Sequence, residues 1–272
     1  MKLLEPHKKL NPSLTIPKLV SVTARFIEFF SSTIISKIAV RLFLTPINFK
    51  MPEREKYMLK SAQKKRLQIP TIKKEVDILS YGYSKKKVLL VHGWAGRSTQ
   101  LFAFADRLLE KGYMVISFDG PAHGKSTGKT TSMLEFLEVI KVIVKTYGPF
   151  EAAIGHSLGG MSLYNATSDF LEIKTFVSIG SGDKITDIIK NFANNLTLHP
   201  WSAKKIQKNL EKKWSRKADD YASHHLAKKI TIPVLIVHDT KDGDVPVSCA
   251  YNIRQNLKNG SLLISNGLGH TK

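Results

Sequence analysis

The stretch Gly155-His156-Ser157-Leu158-Gly159 decides the fold of this 272-residue chain. It has the pattern G-x-S-x-G, with a short, mostly apolar run before it (150–154) and a run that can be helical after it (161–167). The motif therefore lies where a buried strand would pass into a helix, which is the setting of a nucleophile elbow. A serine in that turn is strained, and side chains at positions 155 and 159 would collide with the neighbouring strand and helix. We expect Ser157 to be presented there as a nucleophile.

Short apolar runs alternate with amphipathic segments from about residue 71 onward. Runs that are apolar throughout are typical of strands buried on both faces of a parallel sheet. They occur at 88–91, 114–118, 150–154, 176–179, 233–237 and 262–264, and residues 71–83 add one or two strands. This alternation predicts an α/β fold with a mostly parallel central sheet and helices on both faces, over a core of residues 71–272.

The alternation breaks between about residues 182 and 228. This stretch is polar and basic, contains no strand candidate, and repeats apolar residues at helical spacing in Ile206, Leu210 and Trp214. We therefore expect a helical insertion above the sheet, which would serve as a lid.

Residues 1–70 predict a basic, amphipathic N-terminal helical extension. Residues 18–44 repeat apolar side chains at helical spacing, and residues 45–70 form a polar connector. Charges interrupt every apolar run before it reaches the ~18–20 residues that a membrane-spanning helix needs. One or two helices here would either lie on a membrane surface or pack on protein, and we favour packing on protein.

The net charge of +20 is concentrated in two regions. Residues 1–70 hold 14 Lys and Arg against 4 Asp and Glu, and residues 201–230 hold 9 against 3. Anionic lipid, nucleic acid or an acidic substrate could use such surfaces, while a lysine-rich solvated surface is the simpler interpretation. The single cysteine, Cys249, excludes an internal disulfide framework and fits a reducing compartment. Nothing near Met1 resembles a signal peptide, so we expect a cytoplasmic protein, with the inner face of the membrane as a place of peripheral contact.

Four polar segments follow the predicted strands, at the edge where an open parallel sheet places its ligands. They are 92–96, 119–126, 238–246 and 267–270. In the first segment a glycine lets the backbone turn towards the site. The N–H groups of Trp94 and Leu158 could together form an oxyanion hole.

With these segments the chain resembles an α/β-hydrolase over roughly residues 72–272. The family's order of Ser, then acid, then His implies Ser157 as the nucleophile, Asp242 as the acid and His270 as the base. Asp244 is the rival acid, and Asp239 replaces the glycine usual in the family's H-G-x-x-D segment. The resemblance also implies a final helix after the base, whereas the sequence ends at Lys272. Either the chain is truncated or the N-terminal helices cover the vacated surface.

The resemblance implies a serine hydrolase that cleaves a small-molecule ester or thioester through an acyl-enzyme, as a carboxylesterase or lipase does. Such an enzyme requires no metal and no organic cofactor. Two alternatives stay open: a catalytically impaired binding module at a membrane or partner surface, and an acyltransferase with the same triad. Nucleic-acid binding would rest on charge alone and is not favoured. The oligomeric state is not specified by the sequence.

Overall fold

The computed structural model describes residues 16–271, which form eight strands and ten α-helices. The strands are β1 (Gln63–Ile69), β2 (Lys74–Tyr81), β3 (Lys87–Val91), β4 (Met114–Phe118), β5 (Ala152–His156), β6 (Thr175–Ile179), β7 (Val234–Asp239) and β8 (Gly260–Ser265). The helices are α1 (Lys18–Phe30), α2 (Ser32–Phe43), α3 (Lys56–Ser61), α4 (Phe102–Glu110), α5 (Met133–Tyr147), α6 (Leu158–Asp169), α7 (Ile185–Asn195), α8 (Pro200–Trp214), α9 (Ser223–Ala227) and α10 (Ser248–Asn256).

All eight strands belong to one sheet with the order β1-β2-β4-β3-β5-β6-β7-β8. The pairs β1–β2 and β2–β4 are antiparallel, and every other pair is parallel. The parallel strands end at one edge, so the segments that follow β3, β5, β7 and β8 meet there. The predicted α/β architecture with a mostly parallel sheet is confirmed.

Helices cover both faces of the sheet. Helices α5, α6, α9 and α10 enclose one apolar cluster with the strands, centred on side chains such as Phe136, Tyr164 and Phe176. Helices α3 and α4 enclose a smaller cluster on the opposite face, which includes Met58 and Ala105. Burial of this apolar surface on both faces explains why the central strands are apolar throughout.

Strand β1 corrects the prediction for residues 45–70, which the sequence indicated as a connector. Its side chains are mostly exposed, and only Ile69 at its end is buried. As an edge strand it needs no alternating apolar pattern, because β2 supplies its hydrogen bonds and water covers its outer side. The regular sheet therefore begins within the segment that we had placed outside the core.

The predicted helical insertion between β6 and β7 consists of α7, α8 and α9 and contains no strand. Helix α2 packs against α7 and α8, and α1 packs against α2. The buried side chains shared by these helices include Ile35 and Ala39 of α2, Ile189 of α7, and Ile206 and Leu210 of α8. The N-terminal extension therefore packs on the insertion. Because Leu263 of β8 remains exposed, the idea that α1 and α2 cover the sheet beyond β8 is wrong.

No helix within residues 16–271 is long and apolar enough to cross a membrane.

Candidate active site

Ser157 forms the turn between β5 and α6 with a strained backbone, at φ 52° and ψ −114°. Its N–H donates to the carbonyl oxygen of Ile179 at 2.8 Å, which ties the turn to the neighbouring strand β6. A Cβ on Gly155 would lie 2.6 Å from the carbonyl carbon of Gly159, and a Cβ on Gly159 would overlap the carbonyl oxygen of Val91 in β3. The glycines are therefore required by the close approach of strand and helix, as the sequence predicts.

His270 lies beside Asp242 at the same edge of the sheet. The His270 Nδ1 is 2.7 Å from the Asp242 Oδ2, while the Asp242 Oδ1 accepts the N–H groups of Asp244 at 2.9 Å and Val245 at 2.8 Å. Burial by itself would raise the pKa of Asp242, but the hydrogen bond and charge of His270 and these N–H donors more than offset it and lower the pKa. An ionised Asp242 makes Nδ1 the protonated nitrogen of His270 and leaves Nε2 as the basic one.

The structure brings Ser157 and His270 to one edge without bonding them to each other. Gly180 follows β6, and a Cβ placed on it would lie 3.3 Å from the His270 Nδ1 and 3.5 Å from the Asp242 Oδ2. The carbonyl that accepts the Ser157 N–H belongs to the residue just before Gly180. Within residues 16–271 no hydrogen bond joins the Ser157 Oγ to the His270 ring. Catalytic hydrogen bonds are often long without substrate and tighten in the substrate complex.

Asp239 holds the loop that carries His270, a role that the sequence reasoning missed. Its two carboxylate oxygens accept five hydrogen bonds between 2.7 and 3.2 Å, four of them from β8 or from the loop after it. The donors are the Ser265 hydroxyl and the N–H groups of Lys241, Gly267, Leu268 and Gly269. Burial would raise the pKa of Asp239, but these donors more than offset it and hold the pKa well below its usual range. The feature that identifies this role is a carboxylate lying next to a Gly-rich loop. Only the folded structure shows that Asp239 and this loop are close together.

His156, which precedes Ser157, contacts His270 through a hydrogen bond and through its ring. Its Nε2 lies 2.8 Å from the carbonyl oxygen of His270, and the two ring centroids are 4.8 Å apart. Burial lowers the pKa of His156 to about 4, so the ring is neutral and donates its Nε2–H to that carbonyl. His156 therefore has a structural role, because it holds the backbone of His270.

Two backbone N–H groups near Ser157 are unoccupied. They belong to Trp94, in the loop after β3, and to Leu158, the first residue of α6. Neither N–H has a hydrogen-bond partner among residues 16–271. The amides on either side of Trp94 are occupied, since Gly93 donates to Gln100 at 2.8 Å and Ala95 donates to His123 at 3.0 Å. A Cβ on Gly93 would lie 3.1 Å from the Ser157 Cβ, so this loop lies against the serine.

Two neutral histidines hold the Trp94 loop in shape. His92 donates from Nδ1 to the Gly93 carbonyl at 2.7 Å and accepts the Gly120 N–H on Nε2 at 2.8 Å. His123 accepts the Ala95 N–H on Nε2, and its ring stacks edge-on against Trp94 at 5.5 Å. Burial lowers the pKa of His92 well below its ordinary value and that of His123 to about 4. Both rings can therefore act as acceptors in this arrangement.

Asp242, Asp244 and His270 form the one group of the described residues with the spacing of a metal site, since one atom of each lies within 4.8 Å of the others. Both oxygens of Asp242 already accept N–H donors from His270 and the backbone. We therefore interpret the group as an acid–base pair.

Comparison with known proteins gives the family. A model described as "alpha/beta hydrolase fold" matches residues 86–206, and a second, described as "TAP-like protein", matches residues 201–272. The chain belongs to the α/β-hydrolase superfamily. No curated protein matches this α/β-hydrolase.

Solved structures agree with this assignment. Alpha/beta hydrolase domain-containing protein 10 from mouse has a TM-score of 0.61 at 16% identity, covering 77% of this chain and 91% of its own. An esterase from Pyrococcus furiosus has a TM-score of 0.62 at 19% identity, with 84% and 91% covered. An esterase from Exiguobacterium antarcticum has a TM-score of 0.60 at 19% identity, with 76% and 92% covered. At these identities the likeness concerns the fold of the α/β-hydrolase.

Proposed function

We propose that this α/β-hydrolase is a serine hydrolase that cleaves a carboxylic ester or thioester. The observation that carries the proposal is the 2.7 Å hydrogen bond between His270 and Asp242 at the sheet edge where Ser157 occupies a strained turn. This bond directs the basic Nε2 of His270 away from Asp242, as a general base requires. The esterases among the structural neighbours make ester chemistry the first choice.

The reaction has two halves. The Ser157 Oγ attacks the carbonyl carbon while the His270 Nε2 takes its proton, and the oxyanion receives the N–H groups of Trp94 and Leu158. His270 then returns the proton to the leaving alcohol or thiol, which departs and leaves an acyl-enzyme on Ser157. Water attacks this ester with His270 again as the base, and the acid product and free Ser157 result. Asp242 stays ionised and stabilises the imidazolium in both halves.

A cleft of about 270 Å³ lies beside the Trp94 loop, and because neither Ser157 nor His270 lines it, it would take a part of the substrate remote from the reacting carbonyl. Its lining includes Ala95 and Gly96 of the Trp94 loop, Thr271 next to His270, and Phe49 and Lys50 from the N-terminal extension. The lining is mixed in polarity, so a small ester with an apolar part fits it. We propose that the helical insertion acts as the lid of this site and that substrate is met at an anionic membrane surface.

The first test compares wild type with Ser157→Ala on p-nitrophenyl esters of graded acyl chain length. We expect Ser157→Ala to lower kcat by on the order of 10⁴-fold or more, because no other group at the elbow can form the acyl-enzyme. Asp242→Asn and Asp244→Asn form a matched pair, and only Asp242→Asn should cause a comparable loss. Labelling of Ser157 by a fluorophosphonate identifies the nucleophile independently of substrate choice.

Two results would replace the proposal by one of its alternatives. A folded wild type that neither hydrolyses any chain length nor reacts with the fluorophosphonate would indicate an impaired binding module. Labelling at Ser157 together with ester products that form only when an acceptor alcohol is added would indicate an acyltransferase, in which the acceptor takes the place of water.

A further inference from the structure

The two N-terminal helices expose a series of large apolar side chains, which we call the N-terminal apolar face. On α1 the exposed fractions reach 65% for Phe26, 77% for Leu19 and 84% for Phe29. The face consists of Leu19, Val22, Phe26, Phe29 and Phe30 on α1 and Ile34, Ile38 and Leu42 on α2. Single exposed apolar residues are normal on a protein surface, but a set of this size marks an interaction surface.

The opposite sides of both helices are fixed to the helical insertion. Helix α2 buries Ile35 and Ala39 against it. The Glu28 carboxylate of α1 accepts the His199 N–H at 3.0 Å, which ties α1 to the start of α8. Lys205 of α8 donates to the Ser32 Oγ, and Asn209 donates to the Ser36 Oγ at 3.1 Å. The packing of α1 and α2 on the helical insertion therefore fixes the apolar face on the outer side of both helices.

The charges around the face are almost all positive. Lys18, Arg25, Lys37 and Arg41 are exposed on α1 and α2. Glu28 is the only acid between residues 18 and 43, and its carboxylate is occupied by the His199 N–H. Basic residues beside exposed phenylalanines are the composition of helices that lie in the headgroup region of a bilayer. Each Lys or Arg near an anionic surface adds to binding.

We propose that the N-terminal apolar face docks on an anionic lipid bilayer, with α1 and α2 lying in the plane of the interface. The phenylalanines enter the acyl boundary and the basic side chains contact lipid phosphates. A second copy of this chain is a poorer partner, because a symmetric contact would place the same basic residues against each other. Docking does not depend on the ester chemistry at Ser157.

The N-terminal apolar face is connected to the proposed active site, so docking would affect how substrate reaches it. The apolar cluster beneath α1 and α2 extends through α7 and α8 to Leu158, next to the nucleophile. The segment after α2 continues to Phe49 and Lys50, which line the cleft beside the Trp94 loop. Docking would therefore place the helical insertion and the mouth of the cleft near the membrane that supplies an apolar ester.

Flotation of the full chain with lipid vesicles tests the proposal. The vesicles contain phosphatidylcholine alone or phosphatidylcholine and phosphatidylglycerol in equal parts. We expect the wild type to float with the anionic vesicles and only weakly with the neutral ones. The triple variant Phe26→Ser/Phe29→Ser/Phe30→Ser should bind the anionic vesicles at least about 100-fold more weakly, because most of the inserted apolar area is lost.

Charge is tested separately with a matched pair of variants. Arg25→Gln/Lys37→Gln/Arg41→Gln should weaken binding about 100-fold, since each basic residue near the surface contributes roughly a factor of five. Lys64→Gln/Lys65→Gln/Lys85→Gln removes the same charge from exposed positions around β1 and the β2–β3 turn and should bind nearly as the wild type does. Circular dichroism confirms that each variant is folded.

Three results would overturn the proposal. They are equal flotation of the wild type and the phenylalanine variant, no flotation of the wild type with anionic vesicles, and equal loss of binding in both charge variants. Size-exclusion chromatography tests the alternative that a second copy of this chain binds the face. A wild-type dimer that the phenylalanine variant abolishes would assign the face to a second copy, whereas a monomer in both cases supports docking on lipid.

Discussion

At the scale of single residues, Asp239 shows how one side chain fixes the loop of His270, the proposed general base. Four of its five hydrogen bonds come from Ser265 and from the N–H groups of residues 267–269, directly before His270. The sequence predicted the elbow glycines and the order Ser157, Asp242, His270 because those features are local or follow a known order. It could not predict this contact, because Asp239 and residue 269 are 30 positions apart in the chain.

Asp239→Asn tests this role. The amide presents only one acceptor oxygen, so at least one partly buried N–H of the His270 loop loses its partner. We expect the free energy of unfolding to fall by about 1–3 kcal/mol, and kcat to fall more than KM rises, because His270 loses its fixed position. Both are measured by urea denaturation and by steady-state kinetics on the preferred p-nitrophenyl ester.

Asp187→Asn is the control, since this carboxylate is exposed on α7 and forms an ion pair with Lys190, three residues further along the helix, at 3.5 Å. It should leave both measurements near the wild-type values. If Asp239→Asn keeps the wild-type kcat while losing stability, then other contacts, such as the His156 hydrogen bond, suffice to place His270.

At the scale of elements, the apolar strands were predictable and the polar ones were not. Strands β3 to β7 are buried on both faces, so their composition alone indicates them. Strand β1 reads as a basic loop because its position at the edge leaves most of its side chains in water. Helix α2 was predictable as amphipathic, but its apolar residues divide between a side that packs on α8 and a side that is exposed. Hydrophobic spacing does not distinguish those two sides.

Neighbouring residues of α2 offer a matched test of that division. Ile35 is 1% exposed and Ile34 is 55% exposed. Ile35→Ala leaves a cavity between α2 and the helical insertion and should lower the free energy of unfolding by about 2–5 kcal/mol. Ile34→Ala should change it by less than about 0.5 kcal/mol. Urea denaturation followed by tryptophan fluorescence reports the difference, because Trp201 and Trp214 both lie on α8. Equal effects of the two substitutions would show that α2 does not pack on α8 as described.

At the scale of the whole molecule, the N-terminal extension and the helical insertion form one unit. Two hydrogen bonds join α2 to α8, from Lys205 to Ser32 and from Asn209 to Ser36. Each connects residues 173 positions apart. The sequence indicated two basic, helical regions separately, and the structure places them against each other. The sequence could not predict that these two regions pack on each other, because each has an apolar side that would fit many partners.

The whole molecule should also lose stability in mildly acidic solution, because the site is built on buried neutral histidines. Burial lowers the pKa of His123 and His156 to about 4 and that of His92 well below its ordinary value. Between these values and the ordinary value of about 6.5, the unfolded chain binds more protons than the folded one. The free energy of unfolding should therefore decrease as the pH is lowered through this range, by up to about 1.4 kcal/mol per pH unit for each histidine.

Urea denaturation at a series of pH values between neutrality and the onset of acid unfolding measures this slope. His123→Gln keeps an acceptor for the Ala95 N–H but removes one titrating ring, so its slope should be smaller than that of the wild type by the share of one histidine. Below about pH 4 a further loss should follow in both proteins, because Asp239 and Asp242 have lowered pKa values and lose their stabilising ionised form only as they become protonated. A wild-type stability that stays constant from neutral pH down to about pH 5 would contradict the assignment of these three histidines as neutral supports of the site.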